Sequence, residues 1–468
     1  MWRATETAGT EAISFIVFAT LARLLSLEDF GLLALAGSIM QLLQALLYHG
    51  FTEALIQRPE ISEEHHRTVL AANFVLALVL VAVGMAAAWP IGWLLGRAEF
   101  ATIFMALLPS LLFRGLSSPM LASLRRDMDF RSIAIRTLFG VIAGGMVAIF
   151  MARHGFGFWA LVVQQWSNEV VGFLVLLRAS PIKPWNLRWS RKAMRELLPV
   201  ALPVMGTAFL SVASRRLDTL ALGLFQSNST VGIYYMANRL VFAAQMVTQH
   251  GLSEVAMVVL SSMNRDAARY RRGLLRALRL MSYLCASAFG LLAVAGPWLA
   301  PIVFGAAWGP AAQPLRVLAA LSVGGAVVSI AGVTLVASGY AAAYSRLATG
   351  AAFAQLAAVV LAARWGLMAV VWAVGIVQCA AMLPALRMLT QHYKLTAKSL
   401  FGELAPILGL FAIGLATAHW VTSLTSGWFA QPSGSIAFIL LMGTGAFPLL
   451  RKERRERAER EREALLTN

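Results

Sequence analysis

Apolar runs of about twenty residues recur from one end of this sequence to the other, each long enough to cross a hydrocarbon layer as a helix. In lipid a backbone has to satisfy its own N–H and C=O groups, so segments of this kind are helices. Read in order, the runs give fourteen spans, at roughly 6–26, 30–56, 68–93, 101–124, 133–152, 156–177, 197–221, 231–260, 277–300, 314–337, 346–363, 367–387, 402–421 and 435–450. The residues are 59% hydrophobic and only 13% charged, which excludes a soluble domain. The first long run, 12–25, is followed by many others and by no cleavage site, so it reads as a span and not a removed leader. The expected fold is therefore an all-α polytopic membrane protein.

A net charge of +17 suggests nucleic acid until its placement is considered. With the N-terminus inside, most of the 39 Lys and Arg fall in inner loops or in the C-terminal tail. Five, at Arg23, Arg97, Arg153, Arg316 and Arg364, fall at outer ends. This bias orients the chain with both termini cytoplasmic. The basic balance is thus a topology signal, and no nucleic-acid partner is implied.

One stretch, 211–254, is not apolar where a plain anchor would be. Its first arm carries Ser211, Ser214, Arg215 and Asp218, extended backwards by Thr207, on one helix face. Its second arm carries Asn238, Arg239, Gln245, Gln249, His250, Ser253 and Glu254. The turn lies near 226–230, and Arg215 and Arg239 each lie twelve residues from Ser227, about 18 Å along a helix. A charge at that depth costs about 2.5–3.5 kcal/mol and persists mainly where it faces a bundle interior or a watery cavity. Arg114 is a further mid-span cation, Arg216 adjoins Arg215, and Asp218 is the nearest anion. Arg215 and Asp218, at i and i+3, are placed to pair. Either this pair locks helix packing, or the surplus guanidiniums await an anionic ligand such as pyrophosphate or carboxylate. Arg136 lies near enough to the inner surface to snorkel and is assigned no role.

The second span carries Gln41, Gln44, Tyr48 and Thr52 as a polar stripe, and the stripe recurs. A shift of 201 residues places Gly31, Ala36, Gln44, His49, Gly50 and Glu53 on Gly232, Ala237, Gln245, His250, Gly251 and Glu254, and Thr52 on Ser253. A later echo sets Trp89-Pro90 to Gly96 against Pro297-Trp298 to Gly305. The expected organisation is two pseudo-symmetric six-helix lobes, 1–178 and 197–388, joined by a basic linker at 179–196. Two additional helices occupy 389–450 and a charged cytoplasmic tail occupies 451–468. Lobes of even span number are related by an axis along the membrane normal, with a site expected at their interface near mid-bilayer. His49–Glu53 and His250–Glu254 are i, i+4 pairs on equivalent helices. They read either as a gate or protonation switch, or as helix-end caps against neighbouring loops.

The remaining features have plainer readings. Glu11 either lines a cavity or marks a late start to the first helix. Ser26 is placed to cap the second helix, with Glu28 and Asp29 at its positive end. His65 and His66 sit in a polar, solvated loop, and Pro199, Pro203, Pro297 and Pro301 mark bends or helix ends. Glu403 and His419 are the few ionisable groups of the last two spans, which read as lipid-facing or subunit-contact helices. Cys285 and Cys379 have no metal-ligand spacing and read as small buried hydrophobes. No nucleotide-binding loop, zinc-protease motif, paired-Cys motif or nucleophile elbow is present, and no loop is long enough for a catalytic domain. Neither catalysis nor a cofactor is implied.

Several motifs resemble those of polysaccharide-biosynthesis flippases. They are Leu21-Ala22-Arg23-Leu24-Leu25-Ser26-x-Glu28-Asp29-Phe30-Gly31, Gly50-Phe51 with Ala54-Leu55-Ile56-Gln57-Arg58, and Arg126-Asp127-Met128-x-Phe130. Arg216-Leu217-Asp218 and Gly232-Ile233-Tyr234 with Ala237-Asn238-Arg239-Leu240 complete the set. Together they are similar to a Wzx-type flippase of the colanic-acid exporter branch, within the multidrug/oligosaccharidyl-lipid/polysaccharide exporter superfamily. Leu27 stands where that pattern usually has proline, and the cytoplasmic start is short. The resemblance implies two lobes around a cationic cavity that moves an undecaprenyl-pyrophosphate-linked sugar repeat unit outward by alternating access. It places Arg114, Arg215, Arg216, Asp218 and Arg239 at the substrate. The polymerase and glycosyltransferases of the same pathway would be partners, beside the lipid-linked oligosaccharide itself and the membrane lipids. The competing readings are a cation-coupled drug exporter of the same superfamily and a membrane-embedded polymerase or ligase.

Overall fold

A computed structural model describes residues 2–58, 60–263, 267–425 and 429–466; side chains at 2–8, 250, 254, 267, 449, 450 and 452–466 lie outside the description. The described chain is helical almost throughout. In order the helices are α1 (Trp2–Leu24), α2 (Leu27–Gln57), α3 (Glu63–Leu94), α4 (Ala98–Leu107), α5 (Ser110–Arg126), α6 (Phe130–Arg153), α7 (Trp159–Ala179) and α8 (Arg191–Phe225). There follow α9 (Asn228–Gln245), α10 (Gly251–Ser262), α11 (Ala267–Phe304), α12 (Ala312–Leu321), α13 (Gly324–Ala337), α14 (Ala341–Ala362), α15 (Leu367–Tyr393), α16 (Ala397–Leu424) and α17 (Ala430–Leu466). Each of the fourteen expected spans falls on one helix or on a consecutive pair. Among the described residues ten helices are long and apolar enough to cross a membrane, or eleven if the pair Ala306–Leu321 and Gly324–Ala337, bent by 43°, is one span. The protein is a multi-pass membrane protein.

Local chemistry sets the helix starts. Ser26 and Asp29 form a reciprocal capping box, the Asp29 N–H donating to Ser26 Oγ at 3.1 Å and the Ser26 N–H to Asp29 Oδ2 at 3.0 Å. Asp129 accepts the Ser132 N–H at 3.1 Å to start α6, and Ser190 accepts the Ala193 N–H at 3.3 Å to start α8. The prolines at 199, 203, 297 and 301 lie inside α8 and α11 and end neither helix. α1 runs unbroken from Trp2 with Glu11 exposed, so the late start is set aside. The expected span 231–260 is interrupted instead, by one π-helical turn at Met246–His250, where the Thr248 hydroxyl bonds back to the Ala244 carbonyl at 2.7 Å.

Two compact units emerge. The first comprises Met1–Tyr235, Val303–Ala307 and Val359–Leu367; the second comprises Met236–Ile302, Trp308–Ala358 and Met368–Asn468. Within the first, the residues that the 201-residue shift superimposes meet each other. A Cβ on Gly31 would strike the carbonyl of Asn228, and one on Gly232 would strike the carbonyl of Leu27. The contact is reciprocal, as at a two-fold axis, and only glycine allows so close a helix approach. The caps repeat as well, since the Thr230 N–H donates to Ser227 Oγ at 3.3 Å just as Asp29 does to Ser26.

Within the second unit, the additional helices are pinned and not simply lipid-facing. Arg279 of α11 is 1% exposed and pairs with Glu403 of α16 at 3.3 Å. Trp298 donates to Ser435 Oγ of α17 at 3.2 Å, and the Tyr283 hydroxyl donates to the Met442 carbonyl.

Candidate functional site

The polar stripe of α2 faces α5, α6, α7 and α8 inside the first unit, and the buried charges collect there. Glu169 of α7 is the anchor, its side chain 2% exposed. Its Oε1 accepts from Arg114 of α5 at 2.6 Å, and Arg136 of α6 stands 3.8 Å from its Oε2. Gly172, one turn along α7, makes the room: a Cβ there would sit 3.1 Å from Arg136 Nε. Arg114 lies 5.9 Å from the centre of the Tyr48 ring and Arg125 5.1 Å from it, with Arg125 also donating to the Tyr48 hydroxyl. Arg125 approaches Glu53 at 3.9 Å. His49 sits edge-on to Tyr48, within electrostatic reach of Glu53, Arg125, Arg114 and Arg215.

Several expectations change. Arg114 is not a lone cation, because Glu169 matches it. Arg136 does not snorkel; it turns inward to the same carboxylate. The Arg215–Asp218 pair does not form. Asp218 is buried and accepts instead from the Tyr234 hydroxyl at 2.6 Å, the Thr219 N–H at 2.6 Å and the Thr219 hydroxyl at 3.2 Å. Arg216 donates to Gln41 Oε1 at 2.8 Å. Arg215 is exposed on α8, and among the described residues it has neither an ion pair nor a hydrogen bond. The cluster thus holds four guanidiniums, at 114, 125, 136 and 215, against the carboxylates of Glu53 and Glu169. Its surplus positive charge suits an anion.

Arg239 belongs to the second unit, on α9, where it is already engaged. The side chains of His250 and Glu254 lie outside the described residues. The two units share a hydroxyl pair at equivalent places: Thr52 bonds Ser118 in the first, and Ser253 bonds Ser329 at 3.1 Å in the second. In the second unit α13 and α15 approach closely at Gly324, where a Cβ would sit 3.0 Å from the Cys379 Cα.

Glu169 is the residue that sequence reasoning missed. Its signal is present: it stands about 15 Å into α7, in a run reading Gln164-Gln165-Trp166-Ser167-Asn168-Glu169. The expectation of a solvated loop does not hold for His65. It bonds Ser62 Oγ at 2.7 Å at the start of α3 and Glu196 at 3.1 Å, where Arg58 also pairs.

Comparison with known proteins adds the following. The sequence profile described as polysaccharide biosynthesis protein matches residues 20–313. The chain is 28% identical over 326 residues to the succinoglycan biosynthesis transport protein ExoT of Rhizobium meliloti (strain 1021), covering 69% of this chain and 65% of that protein. It is 21% identical over 328 residues to the lipopolysaccharide biosynthesis protein WzxC of Escherichia coli (strain K12), covering 68% and 65%. Each match therefore spans under two thirds of the relative. Among solved structures, the lipid II flippase MurJ in an inward closed conformation superimposes with a TM-score of 0.76 at 13% identity, covering 96% of this chain and 98% of that one. An inward-facing multidrug resistance MATE family transporter of the MOP superfamily gives 0.68 at 15%, covering 82% and 96%. Both share the fold.

Proposed function

Because this chain belongs to the polysaccharide biosynthesis protein family, we propose that it moves an undecaprenyl-pyrophosphate-linked oligosaccharide repeat unit across the cytoplasmic membrane by alternating access. The lipid tail stays in the bilayer while the headgroup crosses. Both termini face the cytoplasm in this reading, as the loop charges favour. The polymerase and glycosyltransferases of the same surface-polysaccharide pathway are its working partners.

The observation that carries the reading is Arg215, a guanidinium beside an already cationic cluster that no carboxylate of the described protein matches. A pyrophosphate supplies the missing negative charge, and the planar fork of arginine suits its oxygens. Arg114 and Arg125, spread around Tyr48, extend the same positive field, and Arg216 stands beside Arg215. Arg239, which the family resemblance also assigns to the substrate, is part of the same reading. In this reading His49 and Glu53, beside Arg125, gate or couple the step, and the same role is assigned to their sequence equivalents His250 and Glu254. A cation-exporting relative would want the opposite balance, with acids in excess.

The test is complementation of a strain lacking the gene. Arg215→Ala is expected to insert normally and to leave single lipid-linked repeat units on the inner face. Surface polysaccharide at the wild-type level would refute the assignment. Accumulation of the units on the outer face would indicate a polymerase.

A further inference from the structure

Away from the charged cluster, the first turn of α3 and the segment that leads into α8 line a half-open cavity of about 340 Å³. That is the low end of the range in which small ligands are held. Glu63, Glu64 and Arg67 line it from α3, and Arg188, Trp189 and Ser190 from the segment before α8. The two walls are tied together, because the Ser190 N–H donates to Thr68 Oγ1 at 3.2 Å. Glu63 and Arg67 pair with each other within α3 and cancel. The Glu64 carboxylate and the Arg188 guanidinium do not, and among the described residues neither side chain has a hydrogen bond or ion pair. The Arg67 Nε–H is buried and also without a partner. Trp189 of the cavity wall is 57% exposed and Trp185, four residues before it in the chain, is 71% exposed, as aromatic side chains at a membrane–water boundary are.

We propose that this cavity binds the headgroup of a zwitterionic phospholipid, a phosphoethanolamine. One unmatched anion and one unmatched cation on a net-neutral wall call for a ligand with both charges. The ammonium N–H groups donate to Glu64, and the phosphate oxygens accept from Arg188 and from Arg67 Nε. The glycerol and chains leave along Trp189. A lipid seated there holds the α8 lead-in against α3, independently of any transported cargo.

The test uses the full chain purified in mild detergent and examined by native mass spectrometry with phosphatidylethanolamine, phosphatidylcholine and phosphatidylglycerol at equal concentration. Phosphatidylethanolamine is expected to be retained most. Glu64→Gln and Arg188→Gln should each lower its retention about threefold, the scale of a part-exposed ion pair. Arg191→Gln, outside the cavity, should not. Phosphatidylcholine or phosphatidylglycerol retained as well as phosphatidylethanolamine overturns the proposal. So does unchanged retention in both cavity variants, or an equal loss in Arg191→Gln.

Discussion

Glu169 decides what the buried arginines can do. Its carboxylate engages Arg114 and Arg136 together, so removing it strands two guanidiniums that the fold has largely taken out of water. Glu169→Gln is expected to lower stability by about 3 kcal/mol, toward the low end for a broken buried pair because Arg114 stays part-exposed. Denaturant unfolding in detergent measures it, and adding Arg136→Met should recover part of the loss, a coupling read from the double-mutant cycle. Asp129 offers a smaller test at the α5–α6 turn. Hydrogen bonds from the Ser132 hydroxyl and N–H hold its carboxyl below the ordinary carboxylate range. A lowered folded value means the ionised cap stabilises fully above the unfolded value of about 3.9 and loses its effect as pH falls through the folded one. Asp129→Ala should therefore cost up to about 1 kcal/mol at neutral pH, with the deficit against wild type shrinking in melting curves as pH falls past the unfolded value and through the lower folded one.

At the scale of elements, the close crossing of α2 and α9 depends on two missing side chains. The atoms facing Gly31 and Gly232 are backbone carbonyls, which cannot rotate away. Gly31→Ala and Gly232→Ala are each expected to destabilise by about 1–3 kcal/mol through overpacking. By contrast Gly37→Ala, with open space around it, should be neutral or stabilising in the same thermal melts. The pairing of α11 with α16 makes a second prediction. Glu403→Gln weakens the partner of a fully buried Arg279, so amide hydrogen exchange should rise along α16 while α2 stays protected. Both crossings were partly legible beforehand. The repeat marked Gly31 and Gly232 as equivalent, and Glu403 stood out as an acid near the start of an apolar span. That the two glycines touch, and that Glu403 has a buried partner 124 residues away, is information about proximity that a linear pattern does not carry.

For the whole molecule, the distribution of Lys and Arg predicts a cytoplasmic C-terminus, so a fluorescent protein fused after Asn468 should fold and fluoresce, and an alkaline phosphatase fused there should stay inactive. The opposite pair of signals would reverse the orientation. The succession of apolar helices, the cap at Ser26 and the repeated motifs are set by the sequence itself, because hydrocarbon thickness and helix geometry fix how long and how apolar a span must be whatever packs beside it. Which cations remain unmatched was decided only in three dimensions. Arg114 meets an acid 55 residues away, Asp218 turns from its i−3 neighbour to Tyr234, and Arg215 is left over. Ion pairing depends on distances of a few ångströms, and in a bundle those distances are set by how helices cross and not by their order along the chain.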